Sequence, residues 1–192
     1  MIEVELKSVV DDLPGRRAAV ERAGGALVFE GRLVDRRFDL PDRALVARDH
    51  VLRLRINQSD GAARAELDWK GPTRLENGYK LREEIGARVQ DPDELLTILA
   101  HLGYVVTTVI DREIVQYDLD GATVRFERYP RLDDLVEVEG TPDQIERAIV
   151  ALGLPRDGFS ADRLSDFASR YEARTGNRAA LCHAALGEST GG

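Results

Sequence analysis

The sequence predicts an α+β fold: an eight-stranded antiparallel β-barrel with flanking helices. Three observations predict it. About eight segments alternate apolar and polar residues with a period of two, which puts the two sets on opposite faces of a strand. They follow one another mostly in hairpin order, separated by turn-formers such as Asp120-Gly121. Their polar face is almost wholly Glu, Arg and Lys, which a closed sheet can turn into a central lumen. An open two-layer sheet is the alternative arrangement of the same segments.

Residues 1–8 open the chain as a strand, with Ile2, Val4 and Leu6 opposite Glu3, Glu5 and Lys7. Asp11 and Asp12 precede a helix from about Pro14 to Ala23, stopped by Gly24 and Gly25. Residues 27–39, 50–57, 63–70 and 79–89 read as strands between the turn signals Pro41-Asp42, Ser59-Asp60-Gly61 and Gly71-Pro72. A second helix is capped by Asp91 and carries the stripe Leu95, Leu96, Leu99 and Leu102. Strands at 105–118, 121–128 and 134–140 follow. A third helix runs from Pro142 to about Leu152 and a fourth opens at Ser160. The last ~15 residues lack periodicity, so one domain over 1–174 and an unstructured tail over 175–192 are expected.

At 192 residues, 43% hydrophobic and 32% charged, the chain has the composition of one globular domain. It has no apolar run near the ~18 residues that span a membrane and no basic-then-apolar leader. Cys182 is the only cysteine, which excludes an intrachain disulfide and fits a reducing cytoplasm. Three scattered histidines argue against zinc, and carboxylate ligands favour magnesium, manganese or calcium. The net charge of −8 argues against a nucleic-acid partner, although an acidic chain can still hold a concentrated basic site.

The charged rows recur. Glu3, Glu5 and Lys7 share one face; so do Arg53 and Arg55; Glu66, Asp68 and Lys70; Lys80, Arg82 and Glu84; Arg125 and Glu127; Glu137 and Glu139. A solvated sheet face would explain any single row. Six rows with scarcely any Thr, Ser or Gln fit it less well. With Arg112, they supply eight cations and eight anions. In a closed lumen the cations suit an extended polyanion, and the carboxylates suit divalent metals held against it. A nucleoside or inorganic triphosphate with magnesium meets both demands.

In their order these motifs resemble the CYTH superfamily, or triphosphate tunnel metalloenzymes. EVELK at 3–7 matches the signature E-x-E-x-K. DRRFDLPD at 35–42 resembles D-x-Y-F-D-T-P, and LRLR at 52–55 matches L-R-I-R. WKGP at 69–72, LREEI at 81–85 and ERYPRLDDLVEVE at 127–139 are similar to later family strands. The likeness covers roughly residues 1–165. It implies an eight-stranded tunnel, a triphosphate substrate (tripolyphosphate, thiamine triphosphate or ATP) and Mg2+ or Mn2+. By position it implies metal ligands at Glu3, Glu5, Glu84, Glu137 and Glu139. It implies catalytic groups at Glu5, Glu66, Glu127 and Lys7. Phosphate binders would be Lys7, Arg53, Arg55, Lys70, Lys80, Arg82, Arg112 and Arg125. The chain departs from the family at Ile110-Asp111, where a Lys often precedes the equivalent of Arg112, at Glu127, where Asp is commoner, and at Asp133, where Gly is usual. Two chemistries are open, hydrolysis of a phosphoanhydride and cyclisation of ATP to cyclic AMP. A noncatalytic polyphosphate-binding module is a third reading. A monomer and a homodimer both fit.

Overall fold

The computed structural model describes residues 2–187. In chain order its elements are β1 (Ile2–Val9), α1 (Leu13–Arg22), β2 (Ala26–Asp39), β3 (Val51–Ser59), β4 (Ala62–Lys70), β5 (Arg74–Glu76) and β6 (Tyr79–Val89). Then come α2 (Pro92–His101), β7 (Val105–Leu119), β8 (Ala122–Arg128), β9 (Leu135–Glu139), α3 (Pro142–Leu152) and α4 (Leu164–Thr175).

The sheet runs β1-β9-β8-β7-β2-β3-β4-β6, and β1 also pairs with β6, so eight antiparallel strands close into a barrel. The expected closed sheet is therefore present. Type I′ geometry makes its tight hairpins: Asp120 and Gly121 have φ of 50° and 79°, a pair that suits the twist of the flanking strands. An unexpected ninth strand, β5, pairs only with β6 across Asn77-Gly78. Its three residues are too few to show alternation.

The apolar face of the barrel points outward and is covered by helices. Leu6, Val124 and Val138 meet Val20 of α1 and Ile145, Ile149 and Leu152 of α3. Leu54 and Phe38 pack with Leu99 of α2, and Ile110, Tyr129 and Leu135 with Phe167 of α4. This inverts an ordinary small barrel: the apolar core lies between barrel and helices, and the charged rows are left inside.

Three expectations are corrected here. Leu102 is the C-cap of α2 and is exposed, not part of its apolar stripe. The fourth helix starts at Leu164, because Ser160 instead exchanges two backbone hydrogen bonds with Lys7 in an extended bridge. The tail does not fray from 175. Ala180 is fully buried and bridges Arg131, and the carbonyl of Leu181 accepts the N–H of Asp111 at 2.7 Å. The expectation for 188–192 lies outside the described residues.

Candidate active site

Alternation brings the rows to one place. A cavity of about 380 Å³ runs into the barrel, and its wall includes Glu5, Lys7, Arg53, Arg55, Lys70, Lys80, Arg82, Arg112, Arg125, Glu127 and Glu137. Asp35, Arg37, Asp49 and Arg163 join them. Among the described residues the wall thus holds ten cationic side chains against five carboxylates, in a chain of net charge −8. One end of the cavity is lined by Val46, Asp49 and His50 from the β2–β3 loop, Arg163–Ser165 at the start of α4, and Leu181.

Asp35 organises one side. It is fully buried, and Arg55 Nε reaches its Oδ1 at 2.8 Å, while Arg112 Nη1 reaches Oδ2 at 3.0 Å and Arg53 Nη1 at 3.5 Å. Burial alone would favour the neutral acid. The charges of Arg53, Arg55 and Arg112 outweigh it and hold the carboxyl well below its usual range. Arg53 also meets Asp68 at 3.0 Å, and Arg112 meets Glu127 at 2.9 Å. Tyr129 donates its hydroxyl to Glu127 at 2.7 Å.

The other side is built from lysines and glutamates on β1, β4, β6 and β9. Lys7 pairs with Glu137, Lys80 with Glu5, and Lys70 with Glu3 at 2.5 Å and Glu84 at 3.0 Å. Arg125 reaches Glu137 at 2.6 Å. Burial disfavours both the Lys7 ammonium and the Glu137 carboxylate, yet each keeps its charge. Glu127, Glu137 and Glu5 raise the Lys7 pKa; Lys7 and Arg125 lower that of Glu137. Glu139 differs: burial, Glu3 and Glu137 push it up to about 7. The negative charges of Glu3 and Glu137 therefore outweigh the positive charges of Arg125 and Lys70 at Glu139.

The remaining expected residues fall as follows. Glu66, expected to be catalytic, is exposed, packs over the bare face of Gly86 and does not line the cavity. Glu3, Glu84 and Glu139 also lie off the cavity wall, although Glu3 and Glu84 reach it through Lys70. Arg82 lines the cavity but gives hydrogen bonds to the carbonyls of Gly71 and Asp49, at 2.7 and 2.5 Å. Asp35 and Arg37 were not among the expected site residues. Their signal was the period-two row Asp35, Arg37, Asp39, obscured because Arg36 charges the opposite face as well. Asp39 is not part of the site. Its carboxylate accepts three backbone N–H groups, from Leu40, Leu45 and Val46, and fixes the loop.

Oxygen-only donors and an uncompensated carboxylate at Glu139 fit a hard divalent cation beside β1 and β9. Among the described residues no three acidic, histidine or cysteine side chains converge on one point. The lysine ammonium groups stand between the glutamates instead, in the role of counter-ions.

The CYTH domain profile matches residues 1–149. The chain belongs to the CYTH domain family. That family acts on triphosphate substrates and depends in general on a metal ion. Comparison with curated proteins gives no significant match. Solved structures similar to this CYTH chain include the PH1819 protein of Pyrococcus horikoshii OT3, 24% identical with a TM-score of 0.68, over 84% of this chain and 94% of that one. A putative adenylate cyclase from Vibrio parahaemolyticus is 19% identical with a TM-score of 0.74, over 88% and 98%. A putative adenylyl cyclase from Hippeastrum, described as revealing a dominant triphosphatase activity, is 16% identical with a TM-score of 0.63, over 92% and 96%. At these identities the likeness is one of fold.

Proposed function

We propose that this CYTH protein is a divalent-metal-dependent triphosphatase that hydrolyses a phosphoanhydride bond of tripolyphosphate, thiamine triphosphate or a nucleoside triphosphate. One observation carries the reading: ten cations against five carboxylates on one enclosed wall. Given about −1.5 to −2 on each free terminal group, tripolyphosphate brings roughly four to five negative charges and the phosphate chain of a thiamine or nucleoside triphosphate roughly four, which would offset most of that surplus. A noncatalytic anion sink would gain nothing from Glu5, Glu127 and Glu137 in the same cavity, because they repel phosphate. The dominant triphosphatase activity described for the Hippeastrum protein supports hydrolysis over cyclisation.

In this reading Arg53, Arg55 and Arg112 grip the phosphate chain. Asp35 holds their forks in place, so little ordering is left to do on binding. Lys7, Lys70 and Lys80 exchange their glutamate partners for phosphate oxygens. Glu3, Glu5, Glu137 and Glu139, so released, would hold Mg2+ or Mn2+. A bound divalent ion supplies charge neutralisation on the phosphates and lowers the pKa of water. Hydrolysis then proceeds by in-line displacement: water oxygen bonds to a phosphorus and gives up a proton, the bridging P–O bond breaks, and the leaving phosphate takes up the developing negative charge, while the proton passes to that phosphate or to solvent. Glu127 is kept ionised by Lys7 and Arg112 against its burial, so it serves to orient Arg112 and Lys7, not to take a proton near neutral pH. The single Cys182 fits a reducing cytoplasm, and no described helix is long and apolar enough to cross a membrane.

The test is product analysis. Purified protein with magnesium or manganese is given tripolyphosphate, thiamine triphosphate or ATP, and phosphate, pyrophosphate and cyclic AMP are separated. Phosphate release from at least one substrate is expected. Cyclic AMP with pyrophosphate as the main products from ATP would replace this reading with cyclisation.

A further inference from the structure

Arg37 is the one cation of the cavity wall that the paired network leaves out. Every other Lys or Arg on that wall has a carboxylate within 4.0 Å among the described residues; Arg37 has none. Its Nε is buried and donates to nothing. Burial and the facing charge of Arg53 lower its pKa to about 10, so it stays cationic at neutral pH. An unpaired buried charge costs stability unless something completes it. Among the described residues only the charge of Asp35 offsets it, from beyond ion-pair distance.

Its place says what would. Arg37 pairs in register with Arg53 on one side and Thr108 on the other. It is two residues beyond Asp35 along β2, or about 7 Å at ~3.3 Å per residue, and two before the strand ends at Asp39. It therefore stands outward of the Asp35 group, at the end of the lumen where the 40–50 loop and the start of α4 close over. Thr108, its register partner on β7, carries no charge. Arg55 pairs with Asp35 and Arg112 with Leu33, so a short anion seated on that pair would stop short of Arg37. An anion one phosphoryl group longer would reach it.

We propose that Arg37 is a specificity-determining residue of the lumen, binding the terminal phosphoryl group of a linear chain of three phosphates and so setting a preference for triphosphate over pyrophosphate. The inference rests on the reading of the lumen as a phosphate site and adds to it a residue and a chain-length rule. Arg37 contacts substrate without a carboxylate to displace, unlike Lys7 or Lys80.

Calorimetry in EDTA, where no turnover interferes, tests it with tripolyphosphate and pyrophosphate on wild type, Arg37→Met and Arg37→Lys. Met keeps the length and removes the charge. Arg37→Met should weaken tripolyphosphate binding about 10- to 100-fold, the span of a hydrogen bond to a charged group, and pyrophosphate binding by less than about threefold. Arg37→Lys should fall between. The ligand-free Arg37→Met protein should melt a few degrees higher than wild type, because an orphaned charge has gone. A structural role would move that midpoint the other way. Unchanged tripolyphosphate binding in Arg37→Met, equal losses for both anions, or a lower ligand-free midpoint each overturn the proposal and leave the function standing. Failure of wild type to bind tripolyphosphate in EDTA overturns the proposal, and failure with a divalent ion present as well overturns both.

Discussion

The two sides of the lumen solve the same electrostatic problem with different chemistry. Around Asp35 the cations are arginines, locked by planar forks onto buried Asp35, Asp68 and Glu127. Along β1 and β9 the cations are mainly lysines, point charges on flexible stems, each set against a glutamate. Arginine is permanently charged and pre-organised; lysine reorients at little cost. The first side is made to stay as it is. The second is made to exchange partners, and the excess charge at Glu139 shows that its present balance is incomplete.

The sharpest way to break this contrast is Asp35→Asn. It leaves three arginines facing a neutral amide, and removing one partner of a buried charge group costs about 3–5 kcal/mol. For a chain of this size that is a fall of roughly 6–20 °C in midpoint, at about 2–4 °C per kcal/mol. The pH dependence has a definite sign. The Asp35 pKa is depressed on folding, so its stabilisation is full above the ordinary value of 3.8 and is lost progressively as pH falls below that toward and through the lower folded value. Thermal scans should find the gap between wild type and Asp35→Asn constant from neutral pH down to the ordinary carboxylate range, and closing only below it. A gap already halved while the solution is still above that range would mean Asp35 is not held ionised.

Glu137→Gln addresses the exchangeable side. Turnover should drop about a hundredfold or more, because a proposed metal ligand is lost. Stability should suffer less than in Asp35→Asn, since Lys7 keeps Glu127 at 3.6 Å. Full activity of this variant, or of wild type in EDTA, would remove the metal reading.

Ligand binding should draw on both sides together. Tripolyphosphate with a divalent ion, at a hundredfold excess over its dissociation constant, stabilises by about 2.7 kcal/mol, a rise of roughly 5–10 °C. Orthophosphate at equal concentration should do much less. Equal shifts from both would reduce the lumen to a generic basic surface. The smallest effect expected is that of Arg55→Lys, about a tenfold rise in KM with a lower kcat, because a point charge replaces a fork already aligned by Asp35. Kinetics indistinguishable from wild type would erase the proposed difference between the arginine and lysine sides.

Much of this was legible in the sequence because a barrel strand reports its two faces residue by residue. VLRLRI and LVEVEG each separate an outward apolar set from an inward charged one, and hairpin order did the rest. What was hidden depended on partners far apart in the chain. Glu66 has the same alternation as Asp68, yet it is exposed and does not line the cavity. Asp35 is the hub of one side only because β3 and β7 flank β2, which no local pattern shows. The docked segment around Ala180 has no periodicity of its own; its order comes from Arg131 and Asp111.

The closure of the barrel also sets the order in which it can be made. β1 is the first strand synthesised, and both its neighbours are distant: Glu5 pairs with Lys80 on one side and with Glu139 on the other. Until β6 has emerged β1 has no partner, and until β9 has emerged it keeps an open edge able to template another chain. Such long-range pairings form slowly, after the loop-closure entropy has been met. The hairpins from β2 to β4 and from β7 to β9 can assemble first. The seam between β1 and β9 must wait for the last strand of the barrel, and the lumen is closed only when that seam forms.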